Sequence, residues 1–347
     1  MKTTARNIKA AGGVIARGGL VAFPTETVYG LGANALDARA VAQIFLLKGR
    51  PSDNPLIVHI ASMSELAVVA RDVPDVALKL MRKFWPGPLT FVLRKTAGVP
   101  SIVTAGGSTI AVRMPANKIA LALIKAAGCP VAAPSANLAG KPSPTLAAHV
   151  AEDFGDKLMI LDGGKTLHGL ESTVIDVTGV ERGRGRVGRV EILRSGAVTA
   201  EMLSAILGYV PKIVGAGDAK VRSPGMKYKH YAPSVPMILI GAKDQKIMVA
   251  KMLAQLKFFE KKNAQKKIRV GILCVKENAK FYRAGRAAKI ITCGSKKNPA
   301  SFGRELYAAL RKFNKKDVDV ILAENCGKNG VARAVFDRLS RAATEII

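Results

Sequence analysis

Cysteines and long apolar runs are scarce in this 347-residue chain, and each scarcity excludes a class of protein. The four cysteines lie far apart without C-x-x-C spacing, which disfavours a disulfide framework and a structural zinc site. Free thiols in a reducing cytoplasm fit that pattern best. Although 49% of the residues are hydrophobic, no uncharged run reaches the roughly 18 to 20 residues that cross a bilayer. We therefore expect a cytoplasmic protein without a membrane partner.

Signatures of covalent catalysis are missing too. The sequence has no Walker A loop, kinase signature, G-x-S-x-G elbow or H-E-x-x-H motif, and no histidine pairs with a nucleophile. His59 ends an apolar strand, where a core histidine is the ordinary interpretation. Its closeness to a cationic loop also allows a role in a site.

Acidic residues are few, with 25 Asp and Glu against 54 Lys and Arg, and the formal net charge is +29. Such a charge attracts polyanions, so a nucleotide or RNA is the implied partner. The alternative is a basic, solvated surface without specificity. The parts of the chain before and after Met237 are both basic, so charge alone locates no site.

Apolar periodicity predicts an α/β protein in two parts. Residues 1–210 predict a domain around one twisted sheet, and residues 237–347 predict a smaller, Rossmann-like parallel sheet. No G-x-G-x-x-G follows the first strand of that second part, so dinucleotide binding is not supported. Residues 211–236 predict a linker, and the basic loop at 181–190 has no assigned role. The helices predicted in the first part are 39–47, 76–84, 118–127, 145–154 and 199–207.

The densest motif is FPTETVYGLG, where a strand at Phe23 enters a turn rich in hydroxyls and glycines. KGRPSDNPL follows it, with Lys48 and Arg50 two residues apart. Arginine offers a planar fork to phosphate or carboxylate oxygens and lysine a point charge, so the pair suits an anion cradle. Alone, KGRP would be read as a solvated helix end, but its neighbourhood favours a site.

Three further motifs extend this pattern. WPGPLT predicts a packing corner that supports the site. In STIAVRMP, Arg113 shares one strand face with Thr109 and needs an anion there, either a ligand or a structural salt-bridge partner. APSANLAGKPSPT carries Ser135 and Ser143 on a loop where small hydroxyls and amides let phosphates approach.

Taken in order, PTETVYGLG, KGRPSDNPL, WPGPLT, STIAVRMP, APSANLAGKPSPT, ESTVID, LRSG and SPGMKYKHYAP closely resemble the YrdC-like threonylcarbamoyl-adenylate synthases, in their long two-domain form. The resemblance implies a YrdC-like domain with a concave basic face, a linker that closes over it, and a Rossmann-like partner domain. It also implies ATP, L-threonine and bicarbonate as substrates and Mg²⁺ as cofactor. The implied partners are downstream threonylcarbamoyl-transfer proteins that act on tRNA, together with a weak contact to RNA itself.

The resemblance carries site residues with it. Those implied for threonine are Thr25, His59, Arg113, Ala133 through its backbone, and Ser172. Those implied for ATP are Lys48, Arg50, Ser52, Thr109, Ser135, Ser143, Arg194 and Tyr231. Lys48 and Arg50 are the expected catalytic cations, no protein side chain is assigned to the metal, and the expected lid comprises Tyr228, His230 and Tyr231.

The implied reaction needs no protein nucleophile. A threonine carbamate attacks the α-phosphorus of ATP and pyrophosphate leaves, which suits an inventory of cations, hydroxyls and glycines. Two other functions remain open at this point. One is a non-enzymatic RNA-binding protein, and the other is an enzyme that uses carbamoyl phosphate, although the acylphosphatase unit and zinc-finger cysteines of such proteins are missing here.

Overall fold

The structure, a computed structural model, describes residues 3–180, 188–214, 230–242, 244–261, 268–283, 287 and 289–347. The chain divides into two compact units. The first comprises Met1–Ala139 and Ser143–Tyr228, and the second comprises Gly140–Pro142 and Lys229–Ile347. Residues 181–187 of the basic loop and 215–229 of the predicted linker, Tyr228 included, lie outside the described residues.

The described part of the first unit forms one mixed sheet of eleven strands. They are β1 (Val21–Phe23), β2 (Gly30–Asn34), β3 (Ile57–His59), β4 (Ala70–Arg71), β5 (Leu89–Lys95), β6 (Thr109–Arg113), β7 (Val131–Ala132), β8 (Met159–Ile160), β9 (Thr173–Asp176), β10 (Glu191–Arg194) and β11 (Lys212–Ile213). Their order is β11-β10-β9-β5-β6-β3-β7-β2-β1-β8, and β4 pairs with β5. The strand β11 falls inside the segment that the sequence predicts as linker.

Helices and short turns connect these strands. The helices are α1 (Ala5–Ala16), α2 (Ala38–Lys48), α3 (Leu66–Val69), α4 (Asp75–Phe84), α5 (Lys118–Ala127), α6 (Ala147–Phe154) and α7 (Ala200–Leu207). The five predicted helices are confirmed to within two residues at each end. The Thr199 hydroxyl caps α7 by accepting the Met202 N–H. Asp37 caps α2 in the same way, and Gly49 ends that helix with a φ of 60°.

The strand β2 was not predicted, because its two glycines favour a turn in the sequence. The structure gives them another reason. A Cβ on Gly32 would lie 2.8 Å from both the Phe23 ring and the Val131 side chain. Phe23 therefore packs across a strand that must lack side chains there, and the glycines serve packing rather than chain reversal.

The two faces of the sheet differ. The main core lies on one face and includes Val58, Phe91 and Val112. A separate small apolar cluster on the other face contains Ile57, Val92, Ala111, Val174 and Leu193. Because successive strand residues point to opposite faces, Thr109 and Arg113 share the face of Ala111. That face combines a shallow apolar floor with polar ends.

The second unit is built on a parallel sheet, as predicted. Its described strands are β12 (Met237–Ile240), β13 (Val270–Cys274), β14 (Lys289–Thr292), β15 (Val320–Glu324) and β16 (Glu345–Ile346), in the order β14-β13-β15-β12-β16. The helices are α8 (Gln245–Lys261), α9 (Ala279–Tyr282), α10 (Pro299–Arg311) and α11 (Val331–Ala342). Among the described residues of both units, no helix is long and apolar enough to cross a bilayer.

Candidate active site

The pairing of β3, β5 and β6 gathers polar side chains at one end of the sheet. His59 is the register partner of Arg113. Phe91 is the partner of Val112 in the antiparallel pair β5 and β6. The next residues along the two strands, Thr90 and Arg113, therefore lie next to each other. Ser172 joins them through a 2.7 Å hydrogen bond between its hydroxyl and that of Thr90. Three of the five residues implied for threonine thus meet here.

The turn between β1 and β2 holds Arg113 in place. The Thr25 hydroxyl accepts the N–H groups of Thr27 and Val28 at 3.1 and 3.2 Å and lies 2.8 Å from the Thr27 hydroxyl. Arg113 Nη1 donates to Thr27 Oγ1 at 2.9 Å, which brings Thr25 to the same end of the sheet. Arg113 Nε donates to the Gly87 carbonyl at 3.2 Å.

That second contact explains the WPGPLT motif. A Cβ on Gly87 would lie 2.1 Å from the Phe84 carbonyl oxygen, so only glycine fits the bend that offers its carbonyl to Arg113. The Trp85 ring packs edge-on against Phe91 at 5.1 Å and its indole N–H donates to the Leu89 carbonyl at 2.7 Å. The motif is a packing corner that supports the site.

Glu26 completes the surroundings of Arg113, and sequence reasoning missed it. Glu26 Oε1 lies 2.6 Å from Arg113 Nη2, and both side chains are 4% exposed. The contact is an ion pair without aligned hydrogen bonds, since within the described residues neither Glu26 oxygen nor Arg113 Nη2 has a hydrogen-bonding partner. The signal was available, because an acid lies between the two threonines of the PTETVYG motif.

His59 is a neutral imidazole. Burial, and then the Arg113 charge, lower its pKa to about 3. Its ring packs edge-on against Phe23 with centroids 6.1 Å apart, and within the described residues its Nδ1 has no hydrogen-bonding partner. His59 can therefore contribute a hydrogen bond to a ligand but not a positive charge.

Lys48 is engaged with the protein. Its side chain is buried, and its ammonium group donates to the Ser135 carbonyl at 2.5 Å and to the Asn137 carbonyl. Burial, and then the Arg50 charge, lower the pKa of Lys48 well below its ordinary value. This lysine fixes the loop after β7, which carries Ser135. Arg50 Nη2 donates to the Asn54 and Pro55 carbonyls at 3.3 and 3.2 Å, and Ser52 is exposed.

Arg194 and Ser143 lie close to Ser172. Arg194 donates through Nε to the Ser172 carbonyl at 3.0 Å and through Nη2 to its hydroxyl at 3.1 Å. The Ser143 hydroxyl donates to Glu171 Oε1 at 2.6 Å. Residues implied for threonine and for ATP are therefore adjoining, as an acyl-adenylate would require.

The remaining predicted residues lie elsewhere. Ala133 donates its N–H to the Ile57 carbonyl at 2.9 Å, and Thr109 begins β6 at the end away from Arg113. Tyr231 belongs to the second unit, where it has a φ of 65°, is 6% exposed and stacks on Tyr307 at 5.3 Å. His230 adjoins it at 5.6 Å, so of the predicted lid only these two residues are described.

Two family profiles together span most of the chain. The Sua5/YciO/YrdC profile, described as "Telomere recombination", matches residues 13–196. A profile described as "Threonylcarbamoyl-AMP synthase, C-terminal domain" matches residues 198–344. The chain belongs to the Sua5/YrdC family. The expected resemblance is confirmed, and so is the expected fold.

Individual relatives agree with the family. The threonylcarbamoyl-AMP synthase of Pyrococcus abyssi is 45% identical over 96% of this chain and 93% of its own length. That of Bacillus subtilis is 42% identical over 99% of this chain and 94% of its own. The crystal structure of P. abyssi Sua5 complexed with L-threonine matches with a TM-score of 0.89, 42% identity, and coverage of 100% of this chain and 97% of that one.

Proposed function

We propose that this chain is an L-threonylcarbamoyladenylate synthase that condenses L-threonine, bicarbonate and ATP to threonylcarbamoyl-AMP and pyrophosphate. The observation that carries the proposal is the buried Arg113, which the threonine-rich turn and Gly87 hold at the end of β6. Relatives that match nearly the whole chain bear the corresponding enzyme name, and one was solved with L-threonine.

Recognition of the amino acid falls to the Arg113 end of the sheet. The guanidinium is the group that fits an α-carboxylate, because it offers paired donors in a buried setting. Ser172, neutral His59 and Thr25 supply further polar groups at this end. The backbone of Ala133 lies farther along the sheet, and because its N–H donates to the Ile57 carbonyl it can offer a ligand only its own carbonyl. His59 adds no positive charge beside Arg113, since its pKa of about 3 leaves it unprotonated near neutral pH.

Recognition of ATP falls to residues beside that end and to others at the opposite ends of β3 and β6. Arg194 and Ser143 flank Ser172, while Lys48 positions the loop that carries Ser135. Arg50 and Ser52 lie on the loop that enters β3, and Thr109 lies on β6. These residues act by aligning the carbamate oxygen with the α-phosphorus and stabilising the charge that develops on the phosphate oxygens.

Mg²⁺ is part of the proposal as a companion of ATP. Mg²⁺ in nucleotide sites is usually bound through substrate phosphates and water, so phosphate oxygens would supply its principal ligands. When bound, the ion neutralises phosphate charge. The chain's own cations do the same from the protein side.

Pyrophosphate release tests the proposal directly. The purified chain is given ATP and Mg²⁺, and L-threonine and bicarbonate are omitted in turn. We expect pyrophosphate only when both are present, with threonylcarbamoyl-AMP detected by mass spectrometry. Turnover that is indifferent to either omission would show that the activity is a different one. The product is a reactive acyl-adenylate, which we propose is passed to proteins that modify tRNA.

A further inference from the structure

Glu26 is a buried carboxylate that the proposed chemistry does not yet use. It lies between Thr25, implied for threonine, and Thr27, which accepts a hydrogen bond from Arg113. The ion pair with Arg113 Nη2 at 2.6 Å is its one recorded polar side-chain contact within the described residues. A buried carboxylate normally accepts several hydrogen bonds, so this one has unused acceptor capacity.

The three nitrogens of Arg113 all contact the protein. Nε meets the Gly87 carbonyl, Nη1 meets the Thr27 hydroxyl, and Nη2 meets Glu26. A substrate carboxylate that docks on the guanidinium fork needs the Nη2 position. Nη2 has a second N–H, but a substrate carboxylate there would lie against the Glu26 carboxylate, and the repulsion between the two anions favours displacement of Glu26.

Displacement alone would leave Glu26 buried without a counter-charge, which costs several kcal/mol. An amino acid supplies that counter-charge itself, because its ammonium group is one carbon away from its carboxylate. Two cations and two anions can then alternate: Arg113, substrate carboxylate, substrate ammonium and Glu26. The buried site remains neutral before and after binding.

We propose that Glu26 holds the place of the substrate carboxylate on Arg113 in the free protein and, once displaced, binds the substrate ammonium and accepts its proton. The inference rests on the proposed function. It makes Glu26 both a recognition group for amino acids and the proton acceptor for carbamate formation.

The proton count supports an acceptor at this place. An ammonium and a bicarbonate combine to a carbamate, one water and one proton. The new bond joins nitrogen to the bicarbonate carbon, and a C–O bond breaks as water leaves. The nitrogen lone pair is available for that bond only after the ammonium has lost its proton, and the carboxylate in contact with it is the acceptor.

Two ligands distinguish this role from a structural one. L-Threonine carries both charges, whereas (R)-3-hydroxybutyrate has the same carboxylate and hydroxyl but no amine. We expect calorimetry on the full chain to give at least ~100-fold tighter binding of threonine. In Glu26→Gln, the affinity for threonine should fall by ~10- to 100-fold because its ammonium loses an ionic partner. The affinity for hydroxybutyrate should rise several-fold, because no carboxylate at position 26 competes for Arg113.

Opposite shifts are the signature of the proposal. If Glu26 only buttresses Arg113, both ligands will weaken by the same factor, and the proposal fails. Equal affinities of the unaltered chain for threonine and for hydroxybutyrate would also overturn it, and that measurement needs no variant. Failure of the unaltered chain to bind threonine would instead overturn the proposed function.

The rate of pyrophosphate release at saturating threonine tests the proton step. We expect Glu26→Gln to lose ~100-fold and Glu26→Asp, which keeps the carboxylate, to regain most of that loss. Glu152→Gln, on the exposed surface of α6, is the matched control and should retain the full rate. An unchanged rate in Glu26→Gln at saturation would exclude Glu26 as the proton acceptor.

Discussion

Among the described residues, the most deeply buried glutamate of the first unit is Glu26 and that of the second is Glu324, and their carboxylates have opposite surroundings. Glu324, at the end of β15 in the second unit, accepts the Val275 N–H at 2.9 Å, the Asn278 amide at 2.8 Å and the Tyr282 hydroxyl. Glu26, in the first unit, has an arginine beside it and no hydrogen-bonding partner within the described residues.

The difference separates structural from functional burial. A carboxylate whose acceptors are filled by its own unit is part of the core, and a ligand has little to add. A carboxylate with a charge partner but open acceptors is complete only when something else binds. Within the described residues, Arg113 Nη2 and His59 Nδ1 likewise have no hydrogen-bonding partner, so three side chains with open polar atoms meet at this end of the sheet.

Arg113→Ala is expected to have the largest effect, because it removes the carboxylate anchor and leaves Glu26 buried without a counter-charge. Truncating one partner of a buried charge pair costs about 2 to 5 kcal/mol in binding, so kcat/KM for threonine should fall by ~100- to 1000-fold or more. Arg71→Ala, which breaks an exposed pair with Asp72, is the control and should change little. Similar losses in both variants would contradict this distinction.

Lys48→Met comes next. The methionine keeps the apolar stem but removes the ammonium that holds the Ser135 and Asn137 carbonyls. We expect the rate of adenylate formation to fall by ~100-fold, since misplaced phosphate contacts act on the transferring group. The control is Lys79→Met, whose exposed ammonium also donates to a carbonyl, that of Ile206. A full rate in Lys48→Met would show that the loop needs no such anchor.

Glu324→Gln should have the reverse profile. The new amide places a donor opposite groups that already donate, so the second unit should lose about 1 to 3 kcal/mol of its free energy of unfolding. The folded protein should form adenylate at the normal rate. Urea unfolding followed by circular dichroism, with exposed Glu345→Gln as control, measures the first claim. Lost activity at unchanged stability would break the comparison between the two carboxylates.

The sequence predicted one class of feature well and another poorly. Helix ends such as those at Thr199 and Gly49 depend on local capping chemistry, and the motifs around Arg113 supplied candidate site residues. The strand β2 was missed because its glycines are required by the packing of Phe23 on the neighbouring strand, which no local pattern shows. The sequence shows an acid between Thr25 and Thr27, but it does not show that the acid contacts Arg113, which lies 87 positions away on β6. The direction of the Lys48 side chain also depends on residues far away in sequence, since its partners are the carbonyls of Ser135 and Asn137.

The smallest predicted effect concerns His59 and acid stability. Its pKa in the folded chain is about 3, against an ordinary value of 6.5. Between these values the unfolded chain binds a proton that the folded chain does not. The free energy of unfolding should therefore fall as the pH is lowered below about 6.5, by about 1.4 kcal/mol per pH unit from this residue.

Urea midpoints of the unaltered chain and of His59→Gln at pH 7, 6 and 5 would measure this contribution. We expect His59→Gln to lose the His59 contribution to the pH dependence of the free energy of unfolding. The control, His168→Gln in the loop before Ser172, should keep that contribution. Parallel slopes in all three proteins would mean that His59 gains a proton in the folded chain as readily as in the unfolded one. In that case the end of β3 would carry a second cation beside Arg113, and the neutral, incomplete site inferred from Glu26 would need a further anion to balance it.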